Sequence, residues 1–403
     1  MNNKDKNKKE VKDAQKLLRS IEKRGVQKKE EVIYGVYDNR NASISTKIND
    51  FLIDNSKVSL KEKAYFFHLL AVMVDAGIPV LQALKVLSSK TKNRRFQRII
   101  NTLEYSTSRG NTLSDSMARF PDVFTDAEIG VVKAGEAAGN LDKMLFRLSA
   151  QTERVNELQI KIYTASVYPI IVISVLIIVA IIMIVGVVPV LTDLLVQGGL
   201  DAEDFPFATR LLIGSSDFIA NYWWTLVLGI LAIYGIFRVY KATEAGKFQI
   251  DFTKLKIPVV GALIRKVLVL RFISMLGILM EAGLPVIKTL QITAHLMNNA
   301  PYELKILEVI KKVQAGERIS ENLMDAPFLF PETVTQMISI GEKTASVATI
   351  AEKVASHYDR EIDHSIKRLT AIFEPIMILL VALFIVLLAL AVLMPIFTFT
   401  STI

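Results

Sequence analysis

Cysteine is absent from all 403 residues, which excludes disulfides, cysteine-held metals and thiol nucleophiles together. That absence suits any compartment and selects none. Glycine-rich phosphate loops are missing as well. Gly341-Glu342-Lys343-Thr344 is like the end of a Walker A motif, yet Glu342 stands where that motif needs glycine. No GxSxG elbow, HExxH helix or EF-hand loop occurs, so no catalytic constellation is in view. The densely charged first thirty residues are followed by no apolar stretch, so a cleavable signal peptide is not expected. Insertion then falls to the first internal apolar helix.

Charge is the next absence. No charged residue lies between Lys161 and Asp193, between Asp217 and Arg238, or after Glu374. About 20 apolar residues make a helix of roughly 30 Å, enough to cross the hydrocarbon core. The windows predict three transmembrane helices at 165–190, 218–237 and 375–397. Runs such as Ile170 to Val188 are apolar on every face, unlike the one-sided helix of a soluble core. Between the spans, residues 193–217 hold five acids against one base, and 238–266 hold seven bases against two acids. By the positive-inside rule the basic segment is cytoplasmic and the acidic loop external. The net charge of +8 also reflects a basic polar tail, with lysine runs at Lys4–Lys9 and Lys23–Lys29. A solvated tail held near anionic lipid fits this charge. A nucleic-acid arm fits less well, since no interleaved aromatics accompany it. Within the tail, 32–37 could form a strand and 44–53 a short helix.

What the chain does contain, it contains twice. Asp75-Ala76-Gly77-Ile78-Pro79-Val80 returns as Glu281-Ala282-Gly283-Leu284-Pro285-Val286, a shift of 281 − 75 = 206. The same shift pairs Phe66 with Phe272, Gly110 with Gly316, Pro121 with Pro327, Gly135-Glu136 with Gly341-Glu342, and Pro189 with Pro395. So long a gapless register marks an internal duplication. From Ser59 the apolar spacing is helical. Gly77 supplies a left-handed helix end and Pro79 opens the next helix, so Gly77, Pro79, Gly283 and Pro285 read as structural helix corners. Helices are predicted near 79–89, 92–108 and 126–137, with a short helix capped by Thr112 or Ser114. Thr125 and Glu128 have capping-box spacing. A last helix from Leu141 runs on for about 50 residues, roughly 75 Å.

These elements predict an all-α integral membrane protein with two tandem six-helix cytoplasmic bundles. A basic tail (1–57) precedes the first bundle (58–164) and the first span (165–190). An external loop (191–217), a second span (218–237) and a basic cytoplasmic linker (238–263) follow. The second bundle (264–374), third span (375–397) and external tail (398–403) complete the chain. The middle span has no repeat counterpart; it returns the chain so that both bundles sit the same way up. Like-oriented soluble bundles suit a two-sided docking platform better than a carrier, whose repeats and polar sites lie within the membrane. A transporter or channel subunit remains the alternative function.

Candidate site residues are few. His357, Glu361 and His364 share a helix face, but Gln151, Val155 and Leu158 stand at the matching positions of copy one, so a solvated face is the better reading than a metal site. No metal or other cofactor is expected. Glu153 and Glu157 repeat as Asp359 and Asp363, one turn apart, and are candidates for a charged contact face or simple local ion pairs. Glu136 and Glu342, each following a glycine, can cap the next helix start or meet a partner. Glu374, at the mouth of the third span, can stay hydrated.

The repeated AGxPV corner, the Gly-x-x-[Leu/Ile]-Ser turn (Gly110–Ser114, Gly316–Ser320), the Gly-Glu pairs, Gly139 with Leu141, and Tyr168-Pro169 together resemble the PilC/GspF family. These are inner-membrane platform proteins of type IV pilus and type II secretion machines, and the resemblance covers roughly 60–397. Two departures stand out: His68-Leu69 and Ser274-Met275 replace the family's Arg-Gln pair, and Ala345 stands where copy one has Gly139. The resemblance implies a multi-pass inner-membrane protein without catalysis of its own. Its partners would be a cytoplasmic hexameric ATPase, pilin or pseudopilin subunits, other inner-membrane assembly components and membrane lipid, with no direct nucleic-acid contact. It would act as a homo-oligomer whose bundles sit within the ATPase ring, coupling that ATPase to pilin insertion or extraction.

Overall fold

The computed structural model of the protein describes Tyr34, residues 53–190, Gln197 and residues 207–402. The strand expected at 32–37, almost all of the helix expected at 44–53 and most of the basic tail lie outside the described residues. Within the described residues every regular element is a helix. Copy one runs α1 (Leu60–Asp75), α2 (Val80–Lys90), α3 (Arg94–Ser108), α4 (Leu113–Met117), α5 (Asp126–Ala138) and α6 (Leu141–Ile182). A π turn at Met183–Val187 carries α6 on, so the helical run from Leu141 to Val190 is 50 residues long. α7 (Phe207–Ala242) and α8 (Glu244–Lys256) come next. Copy two follows as α9 (Val260–Glu281), α10 (Val286–Leu296), α11 (Ala300–Gln314), α12 (Ile319–Met324), α13 (Glu332–Lys343) and α14 (Val347–Thr402).

The starts of these helices are written in polar side chains. Ser59 Oγ accepts from Glu62 N–H at 3.2 Å while the Glu62 carboxylate accepts from Ser59 N–H at 3.0 Å, a reciprocal capping box. Thr125 and Glu128 repeat the box at α5, whereas Asn93 and Thr112 cap α3 and α4 from one side only, accepting from Phe96 and Asp115 N–H. At the corners, Gly77 and Gly283 both take φ of 81°. Ile78 N–H then reaches back to Met73 O at 2.9 Å, and Leu284 N–H to Leu279 O at 3.1 Å, which closes the preceding helix. Pro79 and Pro285 differ from expectation by one position. They are cap residues with extended ψ (139° and 142°), and their carbonyls accept the first intrahelical bonds, from Ala83 and Thr289. The basic linker is likewise a helix, α8, capped by Thr243 Oγ1 on Gly246 N–H at 3.1 Å. α7 begins at Phe207, so 207–217 of the expected external loop are helical. Charge marks where a helix can enter lipid, not where its hydrogen bonds begin.

The helices gather into two compact units that cut across the expected bundles. One unit holds the described residues through Glu157 together with Phe272–Met297 and Ile306–Lys353, so it takes in parts of both copies. Its core is built on Phe66, Phe67, Phe96 and Phe124, all fully buried, with ring centroids 5.4 to 6.4 Å apart. Rings of that size dominate burial energetics. Copy two repeats the central contact, with Phe272 edge-on to Phe330 at 5.0 Å.

The other unit holds Leu158–Arg271, Asn298–Lys305 and the chain from Val354. Here buried Asp251 of α8 accepts from Ala300 N–H at 3.2 Å, capping α11, and pairs with Lys254 at 2.9 Å. The long runs Leu141–Val190 and Val347–Leu390 are apolar enough to cross a membrane, and their apolar side chains point outward: Ile171 is 57% and Leu379 70% exposed. Such surface is stable only against lipid or protein.

Copy one buries an ion pair that copy two lacks. Lys63 Nζ lies 2.8 Å from Glu128 Oε2 and 2.7 Å from Val123 O, with Lys63 5% and Glu128 9% exposed. Their counterparts in copy two are Val269 and Val334, both fully buried. The same Glu128 carboxylate accepts from Thr125 N–H at 2.8 Å; the counterpart of Thr125 is Pro331, which has no N–H to satisfy. The same pair of repeat positions is thus buried as charges in one copy and as valines in the other. We expect Lys63→Val or Glu128→Val alone to cost about 3–5 kcal/mol, because each strands a buried charge. Lys63→Val/Glu128→Val with Thr125→Pro should be neutral or stabilising. Unfolding of the detergent-solubilised full chain across this cycle reads the difference; a combined variant weaker than either single would refute it.

Candidate functional site

The repeated Gly-Glu pair sits at the centre of a knot of contacts in each copy. Glu136 accepts from Leu113 N–H at 2.6 Å and Ser114 N–H at 3.1 Å, the first amides of α4. Glu342 accepts from Ile319 N–H at 2.7 Å and Ser320 N–H at 3.1 Å at the start of α12, and from the Ser320 hydroxyl. The helix that each glutamate serves therefore lies 22 to 23 residues behind it, rather than at the next helix start. A carboxylate on the free amides of a helix N-terminus is favoured by both hydrogen bonding and the helix dipole. The contact also joins two motifs that look separate in sequence, the Gly-x-x-[Leu/Ile]-Ser turn and the Gly-Glu pair.

The glycine before each glutamate has its own task. A Cβ on Gly135 would stand 3.0 Å from Met144 Cβ and 3.2 Å from Leu141 Cα. On Gly341 it would stand 3.0 Å from Val347 Cα. The next helix can turn back against the glutamate-bearing helix only because that space is empty. The reversal passes through a left-handed residue, Gly139 at φ 69° in copy one and Ala345 at φ 50° in copy two. The hydrogen bonds match across the copies, Asn140 N–H to Gly135 O at 3.0 Å and Ser346 N–H to Gly341 O at 2.8 Å. Packing thus holds an alanine where glycine is the unstrained choice.

The repeated acids separate in their surroundings. Asp363 meets Lys161 Nζ at 2.8 Å, and Glu361 beside it meets Lys266 Nζ at 2.7 Å, which lowers the Glu361 carboxyl below its usual range. With Glu361 so engaged and the His357 ring edge-on to Tyr358 at 5.8 Å, that helix face is a set of local contacts. Among the described residues no group of three His, Asp or Glu is arranged to hold a metal. Asp359 is half-buried, whereas Glu153 and Glu157 are exposed. Glu153 borders an open cleft of about 630 Å³ that His68, Phe146, Arg147 and Glu281 also line.

Arg147 was not singled out by any motif. It donates to Glu352 and to Glu281 at 2.8 Å each, and these bonds, the Glu352 one first, raise the pKa of its guanidinium against a smaller opposing effect of burial. A signal did exist for the missed pair Lys63–Glu128: both positions turn apolar together in copy two.

Glu136→Ala or Glu342→Ala should destabilise the solubilised protein by about 1–3 kcal/mol, since each leaves two helix-end amides unmet. Loss of partner binding with an unchanged unfolding midpoint would show a contact role instead. For the reversal, Gly139→Ala should cost about 1 kcal/mol and Ala345→Gly should gain up to about that much. Equal and opposite midpoint shifts in thermal unfolding are the expected pattern.

The same register appears in comparison with known proteins. The family Type II secretion system (T2SS), protein F matches the chain twice, over residues 66–189 and 272–395. Both ends of the second match are displaced from the first by 206 residues (272 − 66 and 395 − 189). The chain is 34% identical over 344 residues to the type IV pilus assembly protein PilC of Thermus thermophilus, covering 85% of this chain and 84% of that one. It is 33% identical over 318 residues to PilC of Myxococcus xanthus, covering 79% and 75%. With the type II secretion system protein F of Aeromonas hydrophila the identity is 27% over 350 residues, covering 86% and 89%. The chain therefore belongs to the type II secretion system protein F family, among assembly proteins rather than enzymes.

Proposed function

We propose that this protein is the inner-membrane platform of a type IV pilus or type II secretion machine, with three spans, both helical repeats cytoplasmic, and a homo-oligomeric working state. It binds a cytoplasmic hexameric ATPase and relays its motion to pilin or pseudopilin subunits entering or leaving the membrane. The observation that carries the reading is continuity. In each copy the helix that begins at the Gly-Glu knot runs without a break into an outward-facing apolar stretch, Leu141–Val190 and Val347–Leu390. One helix thus carries each repeat's chain into its apolar stretch. The basic stretch containing α8 supports a cytoplasmic side for the repeats. Exposed Glu153 and Glu157 are the contact residues this reading favours. A transporter or channel subunit would need polar groups along its apolar helices, and no charge lies between Lys161 and Asp193 or after Glu374.

Affinity capture from gently solubilised native membranes tests the proposal. A secretion-type ATPase and prepilins should be recovered with the wild-type chain. Glu153→Lys/Glu157→Lys should lower the ATPase yield at unchanged unfolding midpoint. Absence of both partners from the wild-type capture, or solute flux in proteoliposomes, would overturn it.

A further inference from the structure

Within the first unit the two copies touch through different faces of the same fold. α5 of copy one lies against α10 of copy two, and a Cβ on Gly130 would stand 3.3 Å from Ile292 Cδ1. Leu279, Ala282 and Ile292 are in this way part of the copy-one core. Arg147 of copy one seals the edge on Glu281 and Glu352. Copy one thus offers α5 and the start of α6, while copy two offers the outer side of α9 and α10. A heterologous contact of this kind leaves one face of each type unfilled.

The 206-residue register locates both unfilled faces. On α1 and α2, Val86 stands for Ile292, Val72 for Ile278 and Asp75 for Glu281. Ile292 is 7% exposed, but Val86 is 45% and Val72 41% exposed. On α13 and α14, Met337 stands for Val131, Ile340 for Ala134 and Lys353 for Arg147. Val131 is fully buried, whereas Met337 is 40% and Ile340 48% exposed. Apolar character is kept on both faces, and so are the signs of the sealing ion pair, Lys353 for the base and Asp75 for the acid.

We propose that the α1–α2 face of one chain docks on the α13 face of a second copy of the chain, so that chains join head to tail through the contact that joins the repeats. The occupant follows from the duplication itself: the counterparts of these two faces already bind one another inside each chain. One position differs. Gln336 replaces Gly130 at the point of tightest approach, and Val86, shorter than Ile292, returns only part of that space. The contact between chains is accordingly looser than the one within. The proposal deepens the homo-oligomer in the function above but stands on the repeat contact alone.

Because the chain has no cysteine, disulfide trapping reads it cleanly. Two differently tagged full-length chains, one V86C and the other M337C, are co-expressed and oxidised with copper–phenanthroline in membranes. The mixed dimer carrying both tags should exceed either like-with-like dimer. Lys353→Glu in the M337C chain should lower that yield by roughly fivefold, the upper range for an exposed ion pair, and Asp75→Lys in the V86C chain should restore it. A V86C–V86C dimer that dominates, no mixed dimer, or no rescue by the second charge change would overturn the proposal. The readout needs neither ATPase nor pilin, so its failure is distinct from failure of the affinity capture.

Discussion

A five- or six-residue helix cannot satisfy its own first amides, and in both copies that deficit is met by one carboxylate from a later helix. Glu136 of α5 holds the start of α4 and Glu342 of α13 holds the start of α12, and the glycine beside each glutamate lets the following helix fold back in van der Waals contact. Remove the carboxylate and the first two amides of each short helix lose their acceptor. Fill the glycine and the run toward the bilayer starts at the wrong angle. The direction in which α6 and α14 leave is set in their first turns in this way.

Divergence between the copies shows which parts of that design are interchangeable. Buried Lys63 and Glu128 give way to Val269 and Val334, and the threonine whose amide Glu128 served gives way to a proline that has none. Three changes act as one, because a buried charge, its partner and an orphan donor must appear or vanish together. The left-handed reversal was treated differently. Ala345 kept the backbone of Gly139 and accepted the strain, so surrounding packing outweighs a single residue's preference.

Local features were legible in the sequence and long-range ones were not. Ser59, Thr125, Gly77 and Gly139 act within four or five residues of themselves, so spacing alone finds them. Glu136 reaches back 22 to 23 residues, a separation that no capping pattern encodes. The helix α8 is readable from Thr243, from Glu244 in its first turn and from Lys254 and Lys256 in its last, charges that also mark sidedness. That both copies share one compact unit could not be read from motifs, because the motifs repeat and the packing does not. Only the unlike residues carry that information: Gly130 against Gln336, Ala134 against Ile340.

The π turn at Met183–Val187 has no counterpart in copy two, where residues 389–393 continue as ordinary α-helix. Such a turn accommodates one additional residue without lengthening the sequence register. One residue of an α-helix is roughly 100° of rotation. Beyond Val187 the first long helix is therefore phase-shifted by about a quarter turn relative to its duplicate. The two long helices, alike in sequence register, thus differ in the rotational phase of their last turns.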